Sequence, residues 1–557
     1  MARLSKFPAK AAALNSLYLL TGAGAATILT AHLLNPNYLT TSPVVTPSDL
    51  KAVLNGVVRS SRAVRTIASS VVDYKYSLHG LSVDSDEYSR VLSEVHLRSA
   101  KRVRNLCEAN KGFYVKAAQF AAAMRKIPKE YSLALSPLQD KAVPCLFDEI
   151  KDVLISNLGP NLSDIFLSLD EQPIAAASIA QVHRAVLKNK QEVAVKVQYP
   201  GLEQQMRFDL ATMSFLSKSV SLLFPEYRFQ WMISEFTKNI AMELDFNQEA
   251  KNSERTARNF KDNNLVKVPY VYWDFTTNQV LTMQFCSGGK VDDLDQLKKM
   301  DISPTMVAKA LAEVFAEMIF VHGFLHGDPH PGNILVSPEG RNGFSLVLLD
   351  HGVYKEFDEK FRQSYCQLWK ALIYLDSNKI LQFGEQYGVG KYARYFPLIF
   401  TGRTIDSKSA LGEAMSVDEK KNLRQELKSL KVDDFSSFME SVPSEFLTLL
   451  RTDELLKSLV SKLGSSQQIR LLSYAKYALR GLSPKLNPEN VSLVKVMLSR
   501  IQMSIPYIQL RFVLVILELL SLIKAMKLSV RKNFRGMVIS VNYLLVNFLR
   551  QIYVFGT

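Results

Sequence analysis

Cysteine is scarce in this sequence. Cys107, Cys145, Cys286 and Cys366 are the four in 557 residues, far apart and without paired spacing. That excludes a disulfide scaffold and a cysteine-built metal site, and leaves buried free thiols. Negative charge is missing at the start: no Asp or Glu precedes Asp49, and the whole chain carries a formal charge of +15. The excess implies an anionic neighbour: nucleic acid, an acidic membrane surface or a phosphate-bearing ligand. Arginine-rich tracts with interleaved aromatics, zinc-finger spacings and RNA-binding signatures are absent, so nucleic acid is set aside. Nor is there an internal repeat or a low-complexity tract. With 47% apolar and 10% aromatic residues the composition is not that of a disordered chain, and the length exceeds one ordinary core.

The acid-free leader carries Arg3, Lys6 and Lys10, the bias of a mitochondrial presequence. Leu14 to Leu34 follows without a charged residue, and about 20 such residues suffice to cross a bilayer. It reads as a membrane span in preference to the apolar part of a cleaved peptide. Gly22-Ala23-Gly24 is not a dinucleotide fingerprint, because no third glycine and no later acidic residue stand at the required spacing. Residues 35–50, with Pro36, Pro43 and Pro47, read as a linker. Residues 51–135 read mostly as helix, with Arg59, Arg62 and Arg65 on one face, ordinarily a solvated face but beside a membrane segment one that could meet anionic lipid head groups. The hydrophobic stretches Val513–Ile523 and Met537–Leu549 are too short for spans and read as packed or interfacial helices.

The densest chemistry is His326-Gly327-Asp328-Pro329-His330-Pro331-Gly332-Asn333. Two apolar runs, Ile334–Val336 and Leu346–Leu349, follow with turn residues between them, so they predict a hairpin that ends in Asp350-His351-Gly352. Asp328 precedes Asn333 by five positions, the spacing of a catalytic-base aspartate and a metal-binding asparagine in a kinase loop, and Asp350 takes the place of the Asp-Phe-Gly aspartate. Hard amide and carboxylate oxygens suit Mg²⁺. His322, His326 and His330 recur every four residues, but Pro329 and Pro331 break any helix that would give them a common face, which favours a structural role over zinc.

Upstream, Val182–Leu187 and Glu192–Val197 predict two strands about a polar turn. Alternation puts Val193, Val195 and Val197 on one face and Ala194, Lys196 and Gln198 on the other. A lysine in Val-Ala-Val-Lys needs an anionic partner, which in kinases is ATP phosphate plus a helix glutamate. Ser234 to Phe260 predicts one helical segment holding Glu243 and Glu249, roughly 120° apart and so not obliged to share a task. Val280–Phe285 predicts a strand leading into a Ser-Gly-Gly hinge. A G-x-G-x-x-G loop is lacking; Pro173 to Gln181 stands in its place, with alanines where glycines would let the backbone close round phosphates.

Taken together, these residues resemble the aarF-domain (UbiB/ADCK-type) atypical kinase-like proteins, over roughly residues 105–375. The carriers are the alanine-rich loop 174–180 running into Gln-Val-His, Val-Lys-Val-Gln at 195–198 and Glu-Leu-Asp-Phe at 243–246. The Asp328 and Asp350 motifs complete the set. The leader and Asp-His-Gly look most like the mitochondrial ADCK1-type branch. The resemblance implies an α+β, two-lobed protein-kinase-like fold with a helical N-terminal extension and a helix-rich C-terminal region. It implies ATP and Mg²⁺ as cofactors, membrane-bound lipid or quinone metabolism, and a place at the mitochondrial inner membrane. The implied division is 1–48 targeting and membrane segment, 49–158 extension, 159–290 N-lobe, 291–480 C-lobe and 481–557 C-terminal helices.

By the same resemblance Lys196 would contact phosphates, Glu249 would pair with it, and Asn333 and Asp350 would hold Mg²⁺. Asp328 would stand at the base position. Ala175, Ala176, Ala177 and Ser178 would cover the nucleotide, with Met283, Gln284, Phe285 and Cys286 at the adenine-side hinge. The extension would lie over the site through a Lys-x-Gly-Gln motif, here Lys116-Ala117-Ala118-Gln119 with alanine in the glycine's place, and Glu243 would face it. Lys116 and Gln119, three apart, share a helix face.

Overall fold

The computed structural model describes residues 47–482 except 124–127, 140–143, 225–229, 340–342, 408–410, 412–414, 430–437 and 439–440, together with positions 512, 516, 519 and 523. The leader, the Leu14–Leu34 run and nearly all of the C-terminal hydrophobic stretches therefore lie outside the described residues. Among those described, no helix is long and apolar enough to cross a membrane.

Four helices come first: α1 (Pro47–Ser77), α2 (Asp86–Asn110), α3 (Gly112–Ala123) and α4 (Lys129–Leu135). Helix α1 starts inside the stretch expected to be linker, since Pro47 at a first turn has no N–H to lose and its φ already suits a helix. The arginine face is also corrected. Arg59 is 5% exposed, its guanidinium bonded to Asp209 and to Asn110 O, so it turns inward and leaves Arg62 and Arg65 outside. Burial without a partner would be far costlier for that charge than the bent stripe.

After α5 (Phe147–Leu158) come β1 (Phe166–Leu169), β2 (Ala175–Ala176), β3 (Ala180–Leu187) and β4 (Glu192–Gln198). Three helices follow, α6 (Leu202–Leu223), α7 (Gln230–Glu243) and α8 (Phe246–Asn259), then β5 (Val266–Lys267) and β6 (Val280–Gln284). The first sheet runs β1-β3-β4-β6, with β2 beside β1 along the same edge of β3, all pairs antiparallel. The alternation expected for β4 holds. Val193, Val195 and Val197 pack with α5, while Ala194 joins Met283, Phe246 and Ala250 on the inner face. Helix α3 reaches that inner cluster through Phe113 and Ala117.

The single helical segment expected from Ser234 to Phe260 is two helices. Leu244 and Asp245 fall between them, and the Asp245 side chain accepts from the Gln248 N–H at 3.1 Å. An aspartate able to cap a new helix competes with continuing the old one. The break leaves Glu243 at one helix end and Glu249 in the first turn of the next.

The second lobe begins with β7 (Gly289–Lys290) and is built round α9 (Pro304–Glu317), α10 (Glu359–Tyr374), α11 (Ser377–Gln386), α12 (Ser444–Lys462) and α13 (Gln467–Gly481). Its core joins Phe320, Tyr365, Trp369, Phe400 and Tyr474 in aromatic contact. Helix α9 ends in a π-helical turn, Met318–His322, closed by Gly323 at φ +62°. His322 is thereby cut off from β8 (Phe324–His326), and the three spaced histidines occupy a helical turn, a strand and a loop. The expected hairpin is present as β9 (Ile334–Ser337) and β10 (Ser345–Leu348), in a sheet ordered β5-β10-β9-β7. β11 (Tyr354–Glu356) pairs with β8. That pairing brings the segments that follow Asp350 and precede Asp328 together. All four cysteines are free; Cys107 and Cys366 are buried, whereas Cys145 and Cys286 are half-buried.

Candidate functional site

Strand β4 delivers Lys196 to the inner face of the first sheet, where Nζ lies 2.7 and 2.9 Å from the two Glu249 oxygens. It also stands 3.6 Å from Asp350 Oδ2 and 5.1 Å from the Phe246 ring centroid. Burial opposes the lysine's charge, but Asp350 and Glu249 outweigh it and raise its pKa. Burial in turn pushes the Glu249 carboxyl up, against the pull of Lys196. Asp350 is buried by its surroundings yet held below the usual carboxylate range by Lys196 and the Gly352 N–H, which donates to Oδ1 at 3.0 Å. Its side chain keeps 39% of its surface exposed, so it opens on the cleft.

The opposite wall is the loop between β8 and β9. Asn333 Nδ2 donates to Asp328 O and Oδ2, both at 3.2 Å, which fixes its amide with the carbonyl oxygen turned elsewhere. Asp328 Oδ1 accepts from Arg451 at 3.2 Å. Burial would raise the Asp328 pKa, but Arg451 and Lys116 lower it further than burial lifts it. Lys116 of α3 reaches in from the extension and pairs with Glu243 Oε1 at 2.9 Å. Burial works against its charge; Glu243 and Asp328 restore it.

The two glutamates thus serve different lysines, as their separation on the sequence suggested. Gln119 Nε2 donates to Leu138 O within the extension at 3.0 Å. Ala118, at the expected glycine position, is buried among Tyr114, Leu135 and Leu138. Ala175 and Ala176 form β2, and the Ala177 N–H closes a tight turn on Ala180 O at 2.8 Å. A Cβ on Gly112, the first residue of α3, would stand 3.6 Å from Ser178 O, so this loop abuts the extension. The hinge residues divide by strand alternation. Met283 and Phe285 pack on the inner cluster, Gln284 turns its amide toward the Tyr270 N–H on the other side, and Cys286 is half-buried.

Three contributors carry no local sequence signal. Arg451 comes from α12, 123 positions beyond Asp328. Asn252, one turn after Glu249, donates to His351 O at 3.0 Å. Tyr354 OH lies 2.9 Å from His351 Nδ1, while His351 Nε2 donates to Leu348 O at 3.0 Å. Both ring nitrogens are engaged, and burial pushes the His351 pKa down to about 3. Helix α8 and the Asp350 turn are therefore locked together by more than the Lys196–Glu249 pair.

A lysine–glutamate pair beside an Asp-x-Gly aspartate, facing an Asp-x₄-Asn loop across two lobes, defines the class as atypical protein-kinase-like. The ABC1 atypical kinase-like domain matches residues 137–384, and the chain belongs to this ABC1/AarF family. It is similar to AarF domain-containing protein kinase 1 of Xenopus tropicalis, 37% identical over 444 residues that cover 78% of this chain and 83% of that one. The mouse (Mus musculus) protein of the same name is 37% identical over 451 residues, covering 80% and 85%. The probable serine/threonine-protein kinase abkB of Dictyostelium discoideum is 35% identical over 414 residues, covering 73% of this chain and 60% of its own.

Proposed function

We propose that the chain binds Mg²⁺–ATP between its lobes and turns it over, by hydrolysis or phosphoryl transfer, at the mitochondrial inner membrane in support of lipid homeostasis. The observation that carries the nucleotide reading is the placement of Lys196 between Glu249 at 2.7 Å and Asp350 at 3.6 Å. A lysine kept charged between these two carboxylates is aimed at the cleft and can hold phosphate oxygens. The acid-free leader, the Leu14–Leu34 run and the positive excess support the membrane setting.

The residues present fit Mg²⁺. Asp350 is ionised and open to the cleft, and the Asn333 amide is oriented with its nitrogen already engaged, so both offer hard oxygens. Bound there, the ion would neutralise charge on the phosphates. Asp328 would take the proton of an attacking hydroxyl or water. Its low pKa and its contacts to Arg451 and Asn333 hold it ionised and oriented for that task. Ala175–Ser178 would cover the nucleotide with a stiffer backbone than glycine supplies, and Met283 and Phe285 would offer apolar surface to the base.

A second reading, an ATP-binding scaffold without turnover, is favoured by one contact: Arg451 already occupies one oxygen of the Asp328 carboxylate. Thermal unfolding with Mg²⁺–ATP tests the first point for wild type, Asp350→Asn and Lys196→Ala. A ligand at a hundredfold excess over its dissociation constant stabilises by about 2.7 kcal/mol. A Mg²⁺-dependent shift lost in both variants supports the site, and phosphate release by wild type then separates enzyme from scaffold. No shift at millimolar nucleotide would sink both readings.

A further inference from the structure

Helices α1 and α2 enclose a groove of about 420 Å³ that shares no residue with the nucleotide site. From α1 it is lined by Arg62, Arg65, Thr66 and Ser69, from α2 by Arg102, Asn105, Leu106 and Ala109. Three guanidinium groups line it and no carboxylate does. Asp73, the nearest acidic group tied to these arginines, is already shared between Arg98 and Arg102, both at 2.8 Å. Its pKa is lowered to about 2, first by the Arg98 bond, so it is fully ionised and still leaves the patch positive.

The donors are only partly used. Arg102 spends one nitrogen on Asp73, while its Nη1 is buried with no hydrogen-bond partner. Arg62 reaches Ala109 O and Asn110 Oδ1 at 3.4 and 3.3 Å, the long end of a hydrogen bond. Among the described residues no hydrogen bond or ion pair engages Arg65. A buried guanidinium N–H without an acceptor costs free energy, and three like charges round one concavity repel. An ordinary solvated face would not bury one of its donors, as Arg102 Nη1 is buried here.

We propose that this groove binds a phosphate group. Planar guanidinium forks match phosphate oxygens two at a time, and the Ser69 hydroxyl stands beside them on α1, whereas the Thr66 hydroxyl already donates to Arg62 O at 2.8 Å. The volume falls within the range of small-ligand sites and exceeds what inorganic phosphate alone requires, so a phosphate ester fits. Leu106, buried at the groove, supplies an apolar contact for the ester's carbon side. The two sources of such chemistry are a soluble phosphate compound and a phospholipid headgroup. The site does not depend on the nucleotide reading: it uses different residues on the extension.

The test uses the full-length protein and two probes. Thermal unfolding is followed with rising inorganic phosphate, and retention is measured on vesicles of phosphatidic acid in phosphatidylcholine against phosphatidylcholine alone. Wild type is compared with Arg65→Ala, Arg104→Ala and Lys196→Ala. Arg104 removes the same charge from α2 but pairs with Glu108 and does not line the groove. Arg65→Ala is expected to weaken phosphate or vesicle binding about tenfold, the loss of one charged hydrogen-bonded partner, with Arg104→Ala and Lys196→Ala near wild type. An effect of inorganic phosphate alone assigns a soluble ligand; added retention on phosphatidic acid assigns a headgroup. Equal losses in Arg65→Ala and Arg104→Ala would mean charge without a site. Loss in Lys196→Ala would mean phosphate was entering the nucleotide cleft. Either result, or no response to both probes, overturns the proposal.

Discussion

Arg451 Nη2 lies 3.2 Å from Asp328 Oδ1, joining α12 to the loop between β8 and β9 although 123 residues separate them. Burial alone would lift the Asp328 pKa; Arg451 is the largest influence holding it down. Removing the guanidinium by Arg451→Ala lets Asp328 keep its proton to higher pH. The acid limb of the pH–rate profile for ATP turnover is expected to move upward, and Arg451→Lys is expected to move it less. An acid limb unchanged in Arg451→Ala would show that Asp328 does not titrate in the reaction.

Arg59 and Asp209 form an ion pair with side chains 6% and 0% exposed. Truncating one partner of such a pair costs about 3–5 kcal/mol, because the other charge stays buried. Arg59→Ala should therefore loosen the contact between α1 and α6, seen as faster amide exchange in both helices, with little change in anion binding at the groove. The double replacement Arg59→Met with Asp209→Leu should recover most of the protection. Normal exchange in the single variant would argue against a buried pair.

His351 carries a pH dependence of stability. Its pKa is depressed from 6.5 to about 3, mainly by burial, so the folded state binds fewer protons than the unfolded chain between those values. Stability is expected to fall as pH drops from about 6.5 toward 3. Buried His326 acts in the same direction. His351→Gln should flatten this slope in denaturant titrations at several pH values, at a cost in stability near pH 7 from the altered contact with Tyr354. A slope identical to wild type would refute the assignment.

Ala118→Gly restores the residue the family resemblance leads one to expect. In this chain the methyl is packed among Tyr114, Leu135 and Leu138. The change should destabilise α3 by about 1 kcal/mol through backbone entropy and roughly 0.8 kcal/mol more through the lost buried methyl. The Lys116–Glu243 pair, on another side of the helix, should survive, so nucleotide affinity should change little. Tighter nucleotide binding with unaltered stability would contradict this.

The strands of the site were legible because alternation is a short-range signal. The face bearing Lys196, the β9–β10 hairpin and the Asp350 turn all follow from two-residue periodicity and turn chemistry. The helices were less legible. A run of good helix formers hid the Asp245 cap that splits Ser234–Phe260. A three-residue arginine repeat hid the fact that Arg59 faces Asp209, 150 positions away.

By itself the sequence singled out Lys196, Asp328, Asn333 and Asp350, by residue type and spacing, as the candidates for meeting a phosphate and a divalent cation. Only the tertiary structure decided which carboxylate each lysine takes, since Glu243 and Glu249 are interchangeable in composition and separated by a break in the helix. It also decided that Arg451 restrains Asp328 and that Arg102, not Arg59, completes the basic groove. Pairings of this kind rest on burial and on distances between segments far apart in the chain. A pattern of neighbours carries no information on either until the helices pack.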